Sequence, residues 1–220
     1  MKDLKHLYYF EKLLEDANNE LVRQAQDEGL KCIATTCENV PEPLLNLPGT
    51  FSVRLRAPRT GSMEMATYYM TSFLCEYSRA LLERAIEGGY NYLNALFGAE
   101  CCATMERMEE HFFLINPVKN DRFFVTQIDP PMKGDKTNLD YYKAQLKLKV
   151  VDQLAERYGV DTSDAAMRAT IEKFNELCDV ITEIGNFRKL PNPPITGYEF
   201  HVIQLVSEVC PHDLILPYLK

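Results

Sequence analysis

"YNYLNALFGAECCATMERMEEHFFLI", residues 90–115, decides the fold. Its first part, "YNYLNALF" (90–97), is a short apolar and aromatic run of the kind that forms a buried strand. Gly88 and Gly89 precede it and end the upstream helical pattern as a C-cap would. Its last part, "ATMERMEEHFFLI" (103–115), has helical spacing. A strand therefore runs into a helix, and Cys101 and Cys102 sit side by side at the junction. Adjacent side chains point apart, so the two thiols cannot both face one packed core.

The same alternation extends in both directions. Upstream, "KCIATTC" (31–37) and "FSVRL" (51–55) are β-favouring runs separated by "VPEPLLNLPG", a proline-rich turn with at most a short helix. Helical periodicity returns from 63 to 87, with a break expected near Thr71 and Ser72. Downstream, "DRFFVTQID" (121–129) is a fourth strand, closed by Pro130 and Pro131. At the start, Leu4, Leu7, Tyr8, Leu14, Leu21 and Ala25 recur at helical intervals until Gly29, which predicts one helix over 4–30. Strands alternating with helices of this length indicate parallel pairing. The predicted class is α/β: a Rossmann-like parallel sheet of about four strands flanked by helices, followed by a long-helix segment. The composition changes after Lys133. Residues 1–133 read as an α/β domain carrying the candidate cysteines, and 134–220 as a helical segment.

Lys and Arg total 24 against 32 Asp and Glu, a net charge of −8. An acidic surface is a poor partner for phosphate backbones or anionic lipid, so neither nucleic acid nor a membrane is expected as a partner. The first 29 residues lack an apolar h-region, and no 18 apolar residues run together anywhere, so a cytoplasmic setting is expected. Seven cysteines then point to reduced thiols, metal ligands or redox chemistry, or simply to small buried hydrophobes.

Gly-rich phosphate loops, Gly-x-Ser-x-Gly, His-Glu-x-x-His and zinc-ribbon spacings are all missing. Glu106, Glu109 and Glu110 beside His111 lack the di-iron spacing, since Met108 stands three residues before the histidine's position. They read as a solvated helix face. The cysteines are better placed. Cys75 falls at a helix start or break, Cys102 follows the third strand at the start of a helix, and Cys37 ends a strand. Ligands of open α/β sheets collect outside the carboxyl ends of strands, and thiols near helix N-termini have lowered pKa values. An iron–sulfur cluster could be held by such thiolates, with burial as plain core residues the competing reading.

"VPEPLLNLPGTFSVRL", "CEYSRALLERAIEGGYNYLNALFGAECCATMERM", "FFVTQIDPP" and "ITGYEF", in this order, resemble the 2-hydroxyacyl-CoA dehydratase D-component family, which includes benzoyl-CoA reductase subunits. The resemblance runs from about Thr36 to the end and is strongest from Phe73 to His111. It implies that the Cys-x-Tyr-x-Arg element carrying the first cluster cysteine is Cys75, Tyr77 and Arg79. It implies further that Cys102 is the second, with Cys101, Tyr77, Arg79 and Cys37 as residues around the ligands. The implied cofactor is a [4Fe–4S] cluster, incomplete or absent in this chain alone. The implied partners are an acyl-CoA substrate, a paralogous dehydratase subunit and an ATP-dependent activator protein. The implied chemistry is a lyase reaction: one electron enters at low potential, the thioester becomes a ketyl radical anion, and the 2-hydroxyl group leaves.

The chain departs from the family pattern in two respects. Ala103 stands where Asp is common, and a second α/β domain with a third cysteine is missing, a place neither Cys178 nor Cys210 fills. The chain therefore reads as the N-terminal half of a subunit, inactive alone, with Ile203, Val206 and residues 214–219 left as an uncovered apolar surface. The alternative is a non-catalytic homologue or fragment acting as an interaction protein with core cysteines.

Overall fold

The computed structural model describes residues 5–36 and 39–220. Four strands, β1 (Lys31–Thr35), β2 (Thr50–Arg54), β3 (Ala95–Ala99) and β4 (Phe124–Ile128), form one sheet in the order β2-β1-β3-β4. Every pairing is parallel, with Ile33 opposite Ala95 and Ala95 opposite Phe124. The predicted α/β class and parallel sheet are therefore observed.

The order has a physical origin in the helices. α3 (Glu42–Leu45) connects β1 to β2 on one face of the sheet, where Leu45 packs with Ile33 and Phe97. α4 (Glu64–Tyr69) and α5 (Glu76–Ile86) carry the chain from β2 across β1 to β3. α6 (Ala103–Ile115) then leads on to β4. These helices cover the opposite face, with Leu81, Leu82, Met105, Met108 and Phe112 packed against Cys32, Val53 and Leu96. Right-handed crossovers that leave β1 and β3 in opposite directions must use opposite faces. The chain thus reverses its winding between β1 and β3, and a crevice opens outside their carboxyl ends.

Two boundaries differ from the sequence reading. The third strand begins at Ala95 rather than residue 90, because Gly88 (φ 82°) ends α5 and the chain turns through Tyr90–Leu93 before pairing. Tyr90 contributes its ring to the core and its hydroxyl to the Arg56 carbonyl at 2.8 Å, so its apolar character serves a turn. The first helical pattern is two helices, α1 (Lys5–Leu13) and α2 (Glu20–Asp27). Between them Asn19 is buried and accepts from the N–H groups of Leu21 and Val22, a cap that starts a new helix.

After Lys133 come α7 (Lys136–Gln145), a π-helical turn (Leu146–Val151) and α8 (Asp152–Tyr158), whose Val150 and Leu154 pack on the Ile33 face of the sheet. α9 (Asp164–Asn186), a 3-10 turn (Phe187–Lys189), α10 (Gly197–Val209) and α11 (His212–Leu219) follow. The expected uncovered apolar surface on the last helices is not observed. Phe10 and Leu13 of α1 and Leu177 of α9 close over Val202, Val206 and Ile215, so Val206 and Ile215 are fully buried. Ile203, Leu214 and Leu216 are half-buried in the same core, Leu219 is buried, and of residues 214–220 only Pro217, Tyr218 and Lys220 are exposed. No helix among the described residues is long and apolar enough to cross a membrane.

Candidate functional site

At the carboxyl edge, α6 starts directly after β3, and Tyr77 holds the start of α5 by the ends of β1 and β2. Cys75 is the N-cap residue of α5 and Cys102 that of α6, the positions the sequence assigned to them. Both thiols are exposed, as is that of Cys101, so none of the three is a core residue. The adjacent cysteines persist at this junction because neither has to be packed. Cys32 and Cys210, by contrast, are buried, and burial raises both thiols, that of Cys210 to about 12. Cys178 is exposed on α9, and the place expected for Cys37 lies outside the described residues.

The Cys102 thiol is lowered from its ordinary value, first by a hydrogen bond with the Thr104 hydroxyl, at 3.2 Å, and then by the N–H groups of Met105 and Thr104. Helix-start donors favour the thiolate in this way. Tyr77, two residues into the helix that Cys75 begins, donates its hydroxyl to the carbonyls of Thr36 at 2.9 Å and Leu55 at 2.6 Å. It thereby fastens α5 to the ends of β1 and β2. Arg79 is buried and donates to the Leu74 carbonyl and the Thr67 hydroxyl, each at 3.2 Å. It orients the loop that carries Cys75.

The glutamate run is a correction. Glu110 is exposed and pairs with Arg107 at 2.7 Å, as a solvated face should, but Glu109 is completely buried. Its carboxylate lies flat on Gly98 of β3, where a β-carbon would overlap it. It accepts from the Thr36 hydroxyl and the Gln127 amide, both at 2.7 Å. Burial away from water is the main reason its carboxyl is raised above the usual range. The sequence held two signals for this arrangement. Glu109 falls in phase with Met105, Met108 and Phe112 on the apolar face of α6, and a glycine inside a buried strand marks a close approach. His111 is buried as well and packs against the Tyr69 ring at 5.6 Å.

Exposed thiols at helix starts have the right donor chemistry for a soft metal centre. Among the described residues, however, no three His, Cys, Asp or Glu side chains are grouped to hold a metal ion.

A parallel α/β sheet with its winding reversed beside cysteine-started helices defines a class: Rossmann-like proteins whose site lies outside the strand ends. Residues 37–220 match the family described as 2-hydroxyglutaryl-CoA dehydratase, D-component, and the chain belongs to that family. It is 24% identical over 176 residues to the (R)-phenyllactyl-CoA dehydratase beta subunit of Clostridium sporogenes, an alignment covering 80% of this chain and 46% of that protein. The chain thus spans about half the length of the curated relative it matches.

Proposed function

We propose that the chain is part of a subunit of a 2-hydroxyacyl-CoA dehydratase, or of a related acyl-CoA reductase, with Cys75 and Cys102 as two thiolate ligands of a [4Fe–4S] cluster. One observation carries the reading: within the family match, these two exposed thiols begin helices on the carboxyl side of one sheet, α6 directly after β3 and α5 tied by Tyr77 to the ends of β1 and β2. When bound, the cluster would supply an electron at low potential to a CoA thioester bearing a 2-hydroxyl group. This chain's own residues hold the thiols. Tyr77 ties the Cys75 helix to two strand ends, Arg79 shapes the loop before it, and Thr104 favours the thiolate of Cys102. The remaining ligands would come from outside this pair.

The relative is named as a beta subunit, which supports a paralogous partner subunit, and its name supports an acyl-CoA substrate. An ATP-dependent activator and a cytoplasmic, reducing setting belong to the same reading. The competing reading, in which the cysteines are only core, loses support at Cys75, Cys101 and Cys102 because all three are exposed.

The test is oxygen-free reconstitution with iron and sulfide of the chain and of Cys75→Ala and Cys102→Ala, followed by iron analysis and electron paramagnetic resonance. Weak, incomplete iron uptake by the parent, lowered further in both variants, is the expected result. Uptake unchanged by either substitution would remove the assignment.

A further inference from the structure

Glu109 is fully buried, and its described bonds come from two neutral donors rather than a cation. A carboxyl group in that position costs stability relative to an apolar side chain. What it connects gives it a use. Glu109 lies seven residues after Cys102, about two helical turns along α6 from its start. Its carboxylate takes the hydroxyl of Thr36, and the carbonyl of the same threonine takes the hydroxyl of Tyr77, two residues after Cys75. Gln127 extends the chain of bonds to β4, and Leu55 extends it past β2. One hydrogen-bonded line thus crosses the whole carboxyl edge and joins the helix of one thiol to the helix of the other. Gly98 lets α6 come close enough for the line to close.

We propose that Thr36 and Glu109 are positioning residues: through Tyr77 they set the start of α6, and Cys102 with it, against the start of α5 and Cys75. This deepens the reading above, because it takes those two cysteines as the pair that works together. The line also accounts for a buried carboxyl group that packing alone would disfavour.

The test uses the whole 220-residue chain without oxygen. Alkylation of Cys102 by iodoacetamide at neutral pH is followed by fragment-ion sequencing, which separates it from the adjacent Cys101, with Cys178 on α9 as reference, beside urea midpoints. Thr36→Val and Glu109→Ala should move the Cys102 rate at least roughly threefold from the parental one, because α6 is no longer tied to the carboxyl edge and its start opens more readily. Thr36→Ser keeps the hydroxyl and should react like the parent. Gly98→Ala pushes a methyl group into the carboxylate and should destabilise the chain. In Gly98→Ala/Glu109→Ala that methyl group occupies vacated space, so the urea midpoint should recover while the Cys102 rate stays altered. A double variant that alkylates Cys102 at the parental rate would show that Glu109 only fills space and would overturn the proposal, as would a parental rate in Thr36→Val. The alkylation rates do not depend on iron. Iron uptake unchanged by Cys75→Ala and Cys102→Ala, together with altered rates, would sink the cluster reading and keep the positioning. Normal uptake with unaltered rates would do the reverse.

Discussion

Glu109 shows how a charged residue is misread from its neighbours. The run "MERMEEH" looks solvated because Glu106 and Glu110 dominate it, yet helical phase puts Glu109 beneath Met105 and Met108. The periodicity was legible, whereas the acceptor role was not, since Thr36 follows β1 and Gln127 lies in β4, both outside α6. The Glu109 carboxyl is raised chiefly by burial, only partly offset by bonds from Gln127 and Thr36, and is raised a little further by Glu106 and Glu100. The folded chain therefore takes up this proton at a higher pH than the unfolded chain. Its contribution to stability is least favourable above the raised value, improves as pH falls through it, and levels off below the ordinary glutamate value of about 4.3. Glu109→Gln removes this titration. Urea midpoints of the two proteins should diverge with pH, the parent gaining on the variant as pH falls from neutral. A constant difference would show that Glu109 titrates as if exposed.

At the scale of the element, the four strands were readable because each is a short apolar run bounded by turn residues or by a helical pattern. Their edges were less so. Tyr90–Leu93 has strand composition but turns, because the Tyr90 hydroxyl is held by Arg56 and its ring by the core. The first helix was read as continuous because Leu14 and Leu21 keep a helical interval across the break. Its division rests on Asn19, which caps α2 and also donates its amide to the Val209 carbonyl at 3.2 Å. Asn19→Ala removes the cap and leaves that carbonyl without this donor. The expected loss is about 1–2 kcal/mol, read from chemical denaturation. An unchanged midpoint would mean the helix starts equally well without its cap.

At the scale of the molecule, the parallel topology followed from the alternation of elements, but the partners of the last helices did not. Amphipathic pattern shows that α10 and α11 bury a face; it does not say against what. The structure supplies α1, whose Phe10 and Leu13 close the core around Val206 and Ile215. Phe10→Ala should cost roughly 3–4 kcal/mol and raise binding of a hydrophobic dye, since the vacated site borders solvent on the α1 side. Loss of stability without added dye binding would mean that the helices close over the gap. The same packing has a consequence for the order of events in synthesis. Asn19 and Val209 are 190 positions apart, so α1 and the Leu21 side of α2 leave the ribosome long before α10 and α11 exist, whereas Val22 and Ala25 of α2 pack on the nearby sheet. At ordinary translation speeds of 5–20 residues per second, that waiting apolar surface stays uncovered on the order of ten seconds or more. The sheet, built from closer contacts, can assemble first. Closure of α1 onto α10 and α11 is then the late step, and the interval before it is when the nascent chain is most open to chaperones, proteases and mispairing.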